Sequence, residues 1–554
     1  MIIVGIYGAY DWDANKATDN SQNRIVHKHD NYRYLIEENA SRGFVHDSGC
    51  TLFVDGKHIA SVNEERITRE KYDGNFPKNS IDYCLNHAKI SNDEVDIVYS
   101  VSPHSFIALD QVQKGIADRV IKIHFPKAEI RYVGHHLSHA ASSVFTSPFN
   151  EGSFLTFDGG GSSVYNPVTD SIDYIENNSI GYFNKEKRIF RFFTMPENLY
   201  NNFGAFYQMG SAVVYTSKVG KEVKNWTTQI GVPGKIMGLA AYGSLDNYSK
   251  LYKVSENPFP FINFSDFVVD GSPEDAACCL QRNFEDGMID FLKVLKKRHL
   301  DDNICFAGGT FLNVCTNNLI RKEFDNIHIP PFTDDSGVHF GAAIWGCYEE
   351  EEKISVPDNL ALLGKEYTND EIKKYLDMFD LSYREYDVDV VVDRIKDNKI
   401  VAWFQGRSEH GPRALGSRSI FMSPTRAENK DIMNKRVKHR EYWRPFAGII
   451  LEECVGDYFL ENYTTPYMLY SQHSTSNELP AITHEDKTCR VQTVNRNQNP
   501  RVYDLLTKLD PPAILNTSFN DSGEPIVESP YHAVKAFVKM DIDSMVIGDF
   551  IIDK

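Results

Sequence analysis

Two histidines four residues apart, His135 and His139, are the first residues of this chain whose types and spacing suggest chemistry. They lie in Arg131-Tyr-Val-Gly-His-His-Leu-Ser-His-Ala-Ala-Ser-Ser143. The pattern predicts a short strand over 131–133, a turn at Gly134 and a helix of small residues. On a helix, a spacing of four puts both imidazoles on one face. Two neutral imidazoles on one face are the start of a transition-metal site. The other reading is a pair of core histidines on a packed helix, and the pair alone does not decide between them.

A second group is basic. Gly406-Arg-Ser-Glu-His-Gly-Pro-Arg-Ala-Leu-Gly-Ser-Arg-Ser-Ile420 sets Arg413 and Arg418 among glycines. Asn434 to Phe446 adds Lys435, Lys438, Arg440 and Arg444; Arg490 follows, and Asn516-Thr-Ser-Phe-Asn520 supplies short amide and hydroxyl groups. Guanidinium forks beside such donors suit a phosphate or acyl-phosphate dianion. For any one arginine the alternative is a surface salt bridge. A third group is the glycine turns. Phe157-Asp-Gly-Gly-Gly161 and Gly308-Gly309 each follow an apolar run that predicts a strand. Backbone N–H groups in such turns can face a nucleotide's phosphates, or simply close a structural βα turn.

Composition narrows the partners. The 554 residues suggest two to four domains, and 42% hydrophobic with 12% aromatic residues describes a globular chain. The formal charge of −18 argues against nucleic acid as a partner. The nine cysteines form no CxxC pair, so neither a zinc ribbon nor a disulfide framework is expected. No apolar run approaches membrane-spanning length, and Met1-Ile-Ile-Val-Gly-Ile-Tyr7 reads as a first strand rather than a leader. The expectation is a cytoplasmic protein with no membrane partner.

The elements that must position these groups follow in order. Ile2 to Tyr7 is a strand. Residues 11–43 are polar and read as an insertion or lid, or a solvated loop, with a short helix at 32–38. Val45 to Val62 is a hairpin turning at Asp55-Gly56. Helices are expected at 79–87, 105–123, 275–297 and 371–378, and strands at 95–101, 327–331 and 400–404. Gly231-Val-Pro-Gly-Lys-Ile-Met-Gly-Leu-Ala-Ala-Tyr-Gly243 reads as a glycine-rich segment for close backbone packing beside a ligand. Strand, Asp-plus-small-residue turn, hairpin and helices recur in the first part as a weak repeat.

Taken together, these pieces resemble the O-carbamoyltransferases of the NodU/CmcH/TobZ type. The matching motifs are His46-Asp-Ser48, Asn63-Glu-Glu-Arg66, His135-x-x-x-His139, Phe157-Asp-Gly-Gly-Gly161, Lys235-Ile-Met-Gly-Leu-Ala-Ala-Tyr-Gly243 and Gly308-Gly-Thr-Phe-Leu-Asn313. Asp335-Ser-Gly337, Glu409-His-Gly-Pro-Arg-Ala-Leu-Gly-Ser-Arg-Ser419, Val437-Lys-His-Arg440 with Arg444-Pro-Phe446, and Asn516-Thr-Ser-Phe-Asn520 complete the series. They run in family order over nearly the whole chain.

The resemblance implies an α/β fold. An N-terminal ASKHA (actin/sugar-kinase-like) duplicated α/β domain would span 1–360, a linker 361–385, and a C-terminal YrdC-like α/β domain 386–554. It implies that the second domain makes carbamoyl-adenylate from carbamoyl phosphate and ATP (with Mg). The first would then pass the carbamoyl group to a hydroxyl of a small natural-product or sugar-type acceptor. Carried over by motif, His135, His139, Asp158 and Asp335 are the metal ligands, for Fe(II), Zn(II) or another divalent ion. Gly160, Gly161, Gly308, Gly309 and Asn313 are the nucleotide-side residues. His46, with Asp47, is the base or orienter of the acceptor hydroxyl. Arg413, Arg418, Lys438, Arg490, Asn516 and Ser518 are expected to hold carbamoyl phosphate and the adenylate, with Asn520 and Arg444 behind them. A homodimer is compatible with this reading. So are two other functions: carbamoylation of a macromolecule, and a nucleotide-binding regulatory or scaffold protein. Three departures from the family pattern stand out. Residues 11–43 are long, His484-Glu-Asp-Lys487 stands for His-Val-Asp-Gly, and Ala447-Gly-Ile-Ile450 replaces an Ala-Pro stretch.

Overall fold

The computed structural model describes residues 1–9, 45–101, 111–166, 171–195, 202–223, 229–246, 248–254, 271–298 and 300–554. The 11–43 insertion, the first part of the 105–123 helix and most of the segment before Ser272 lie outside the described residues. The chain forms two compact units. The first holds residues 1–68, 72–312 and 319–357; the second holds 69–71, 313–318 and 358–554.

The first unit contains the same five-stranded sheet twice. Strands β1 (Ile2–Tyr7), β2 (Gly49–Val54), β3 (Lys57–Asn63), β4 (Ile97–Val101) and β5 (Glu129–Tyr132) are ordered β3-β2-β1-β4-β5. After β6 (Glu151–Phe157), β7 (Ser163–Asn166) and β8 (Ser171–Ile175) pair with each other. Strands β9 (Asn178–Asn184), β10 (Ile189–Thr194), β11 (Asn303–Ala307) and β12 (Asn326–His328) then complete the order β10-β9-β6-β11-β12. In each sheet the central strand pairs antiparallel with a hairpin on one side and parallel with a crossover strand on the other. The duplicated α/β architecture expected from the resemblance is therefore present. β1 and β6 are buried along nearly their whole length, as strands covered on both faces must be.

Two helices cross over these central strands and carry the site. One is His135–Thr146; the other is Val338–Glu349. Close approach is possible because side chains are missing at the contacts. A Cβ on Gly341 would lie 1.8 Å from the Ser138 carbonyl oxygen, where the helices cross. One on Gly5 would lie 2.2 Å from the carbonyl of His339, where the second helix rides over β1.

The second unit is built on a nine-stranded mixed sheet. In chain order its strands are β13 (Arg384–Glu385), β14 (Val401–Phe404), β15 (Arg418–Met422), β16 (Ala447–Leu451), β17 (Ser471–His473), β18 (Thr488–Val494), β19 (Ala513–Ser518), β20 (Ser544–Ile547) and β21 (Phe550–Asp553). Its order is β13-β21-β20-β14-β15-β19-β16-β18-β17. Apolar clusters cover both faces, one around Phe404, Ile450 and Phe537, the other around Trp403, Phe421 and Leu505.

Several expectations change. The 361–385 stretch carries the helix Asn369–Met378, closed by a Thr368/Glu371 capping box, and edge strand β13, so it is part of the second unit. The glycine-rich 231–243 segment is helical, with Val232–Leu239 running into a 3-10 turn at Ala240–Tyr242. A proline at the first turn suits a helix start, and tertiary packing overrides the low propensity of two glycines. Among the described residues no helix is long and apolar enough to cross a membrane.

Candidate metal and anion sites

His135 and His139 open the His135–Thr146 helix, whose N-cap is the extended residue Gly134. Both rings are buried, and their Nε2 atoms stand 3.1 Å apart. Asp158 directly follows β6 and Asp335 precedes the Val338–Glu349 helix. Asp158 Oδ2 lies 3.4 and 3.9 Å from His135 Nε2 and His139 Nε2; Asp335 Oδ1 lies 3.3 and 3.4 Å from them. The four ligand atoms all fall within 4.8 Å of one another. For bonds of about 2.1 Å, ligand atoms around a tetrahedral ion are separated by about 3.4 Å. The donors therefore fit a divalent cation.

The other oxygen of each carboxylate is held by the fold. Gly309 N–H donates to Asp158 Oδ1 at 2.9 Å, and the Tyr7 hydroxyl donates to Asp335 Oδ2 at 3.0 Å. His139 Nδ1 has no hydrogen-bond partner among the described residues. The ring's polar contacts thus all lie on the cluster side. Two carboxylates in a dry pocket demand positive charge. Burial alone would lower His135, yet Asp335 and Asp158 hold it up at about 10. Burial opposes ionisation of Asp335 too, but His135 and His46 keep it well below the usual carboxylate range.

His46 joins the cluster from the other side. Its Nε2 is 3.6 Å from Asp335 Oδ2 and its Nδ1 is 2.8 Å from Asp47 Oδ2. Burial opposes its charge, while Asp335 and Asp47 raise it to about 10. Asp47 takes φ 57°, a conformation that a non-glycine residue adopts at a cost.

The glycine turns play a different part from the one expected. Gly161 N–H donates to the Glu176 carbonyl at 2.7 Å, Gly308 N–H to the Thr333 carbonyl at 2.7 Å, and Gly309 N–H to Asp158. These three amides are spent on building the site and offer phosphate no donor; Gly160 stays exposed at the turn. Asn313 is buried and its Oδ1 accepts from Thr316 N–H at 3.1 Å, starting a helix.

The second unit gathers cations. Arg490 (β18) has its charge disfavoured by burial and then by Arg413, Arg440 and Arg444. Arg440 is pushed down to about 9 by burial and Arg444. Lys438 is buried and held well below its usual range by burial, Arg440, Lys71 and Arg444. Its Nζ donates to the Ser518 carbonyl at 2.6 Å and to Asn520 Oδ1 at 2.8 Å. Asn516 Nδ2 donates to the Ala414 carbonyl at 2.9 Å, fixing the loop that carries Arg413. Cations that disfavour one another, half-buried on one surface, are arranged for a polyanion.

Arg418 is not part of that surface. It is fully buried, its guanidinium lies 3.6 Å over the Phe404 ring, and it donates to the carbonyls of Gln405, Ser417, Gly406 and Glu528. It braces the loop and has no face left for phosphate. Glu409 does similar work: Oε1 accepts from the amides of Leu415, Ser417 and Arg418. Tyr7 and Lys71 join the two sites without having been singled out by sequence. Lys71 stood in a charged segment; Tyr7 gave no signal beyond ending a buried strand.

Comparison with known proteins agrees over both units. The family model described as Carbamoyltransferase N-terminus matches residues 40–104, 107–263 and 261–344, and Carbamoyltransferase C-terminus matches residues 392–554. Protein sll1178 of Synechocystis sp. is 31% identical over 92% of this chain and 95% of its own length. Nodulation protein NolNO of Sinorhizobium fredii is 28% identical over 92% of this chain and 79% of its own. Protein MJ1051 of Methanocaldococcus jannaschii is 29% identical over 92% and 98%.

Proposed function

The chain belongs to the carbamoyltransferase family, and from that premise we propose an ATP-dependent O-carbamoyltransferase that works through carbamoyl-adenylate. In balance, carbamoyl phosphate, ATP and one water give carbamoyl-adenylate, phosphate and pyrophosphate. The acceptor hydroxyl then attacks the carbamoyl carbon and AMP leaves. The observation that carries this reading is a pair of differently equipped units: a cation surface in one, a buried His/Asp cluster with an adjacent imidazole in the other.

In the second unit Arg413, Arg440, Arg444 and Arg490 bind the phosphates of both substrates. Lys438 holds the Ser518–Asn520 turn beside them. Bringing two anions together is otherwise opposed by their own repulsion, and fixed guanidinium groups offset it without reorganising. In the first unit His46 receives the proton of the acceptor hydroxyl at Nε2. Its Nδ1–H, donated to Asp47, fixes the tautomer that leaves Nε2 as acceptor. His135, His139, Asp158 and Asp335 would hold a divalent cation, which would supply charge to offset the leaving phosphate and the carboxylates that now keep His46 protonated. His/Asp donors suit Fe(II) or Zn(II) better than Mg, which prefers oxygen. A weak hydroxyl nucleophile needs the better leaving group that an adenylate offers, which is why a hydroxyl acceptor fits the adenylate route.

The test is carbamoyl-phosphate-dependent exchange of labelled pyrophosphate into ATP. Exchange is expected in the parent protein. It should be lost in Arg413→Ala and kept in His139→Ala, which should instead lose transfer to the hydroxyl. No exchange in folded parent protein refutes the adenylate route.

A further inference from the structure

Asn63 lies at the end of β3, buried, in a motif to which the proposed chemistry assigns no task. Its Nδ2 donates to the carbonyl of Asp47 at 3.1 Å and to the carbonyl of Ser336 at 3.3 Å. Asp47 follows His46, and Ser336 follows Asp335. One amide group therefore ties together the two turns that set His46 Nε2 3.6 Å from Asp335 Oδ2. The Asp47 turn is strained at φ 57°, and a strained turn persists only when its surroundings hold it.

His339 backs this amide. Its Nε2 lies 3.4 Å from Asn63 Nδ2. Two carbonyls fix the Asn63 orientation and take its two amide protons, so His339 Nε2 meets Nδ2 as a close neighbour whose lone pair can share one of them. The ring's Nδ1 faces Thr51 Oγ1 at 2.8 Å. Thr51 Oγ1 contacts Ser61 Oγ at 2.8 Å, and Ser61 Oγ contacts His58 Nε2 at 2.9 Å. All five residues are buried. The ring is also wedged, since a Cβ on Gly49 would lie 2.4 Å from its Nε2. A polar chain at this depth costs free energy that apolar side chains of the same size would not. Its branches end on the turns of the site.

We propose that Asn63, backed by His339, is a positioning residue that holds the His46–Asp47 turn and the Asp335–Ser336 turn in register. The inference rests on the reading of that cluster given above. Asn63→Leu keeps the branched shape, with somewhat more bulk, and removes the donors. His339→Leu removes the acceptor, whereas His339→Gln can restore it through the amide oxygen.

The probe is cobalt(II) chloride, titrated into the full-length protein and followed by its visible d–d absorption. Positioning residues around metal ligands typically change affinity 10- to 100-fold. Asn63→Leu and His339→Leu are expected to weaken Co(II) binding about tenfold and to alter the spectrum. His339→Gln should stay within about twofold of the parent. All three should keep pyrophosphate exchange, which belongs to the second unit, and a cooperative thermal transition. Unchanged Co(II) affinity and spectrum in Asn63→Leu overturns the inference alone. So does a parallel fall in exchange and thermal midpoint with no rescue by His339→Gln, which marks packing only. A parent protein that takes up no Co(II) overturns the reading of the cluster and the inference with it.

Discussion

Replacing Arg490 with methionine should make the free protein more stable and shrink the further stabilisation that a bound polyanion adds. In the parent, Arg490 sits among Arg413, Arg440 and Arg444, and that repulsion adds to the cost of burying it. Two unit charges 4 Å apart near a protein surface interact by about 4 kcal/mol, and by about 2 kcal/mol at twice that distance. Arg490 is partly exposed, so solvent and salt screen much of this. A net gain of about 1–2 kcal/mol on removing the charge is the reasonable figure. In a unit of this size each kcal/mol moves the thermal midpoint by about 2–4 °C. The unliganded variant should therefore melt about 2–8 °C above the parent.

Pyrophosphate narrows the difference. At 100 times its Kd a ligand stabilises by about 2.7 kcal/mol. Losing one charge-assisted fork weakens binding at least tenfold, which cuts the same concentration's effect to about 1.4 kcal/mol. The assay is calorimetry of the full-length protein with and without pyrophosphate, at two salt concentrations. A variant that melts below the parent without ligand, and still shows the full pyrophosphate shift, refutes the picture of a mutually repelling cation surface.

Arg418→Met should behave in the opposite way. It strands carbonyls of Gln405, Ser417 and Gly406 and should cost about 3 kcal/mol or more in chemical denaturation, leaving pyrophosphate affinity of the folded protein unchanged. Lys487 takes φ 64° in the turn where His484 N–H meets the Thr488 carbonyl, so Lys487→Gly should raise stability by about 1 kcal/mol in the same experiment. His532 is pushed down to about 4 by burial, Arg69 and Lys535, and His328 to about 3 by burial and Lys185. For a base with a lowered folded value, the unfolded chain takes up the proton first. The stability these groups contribute is complete above about pH 6.5 and is lost as pH falls toward 4 and 3. Midpoints of parent and His532→Gln or His328→Gln, compared from pH 8 to 4, should converge as the pH drops; parallel curves would refute the assignment.

Chain-local features were legible because their cause is local. The i, i+4 spacing of His135 and His139 guarantees a shared helix face wherever that helix lies. The hairpin at Asp55-Gly56 and the strand character of β1 and β6 follow from turn chemistry and apolar runs. Motif order pointed to the carbamoyltransferases and to a duplicated α/β domain.

What the sequence could not fix was where each polar group would spend its bonds. Asp158 and Asp335 meet the histidines only because β6 pairs with β11 and one helix crosses the other at Gly341. The amides of Gly161, Gly308 and Gly309 looked ready for phosphate, yet each is consumed within the protein. Arg418 and Arg490 are the same residue type in one basic unit. One is satisfied by carbonyls over a phenyl ring, and the other is left facing cations. Local sequence sets which groups can donate, accept or carry charge. Tertiary structure decides which of them are already paired, because partners hundreds of residues apart are chosen by sheet order and helix crossing.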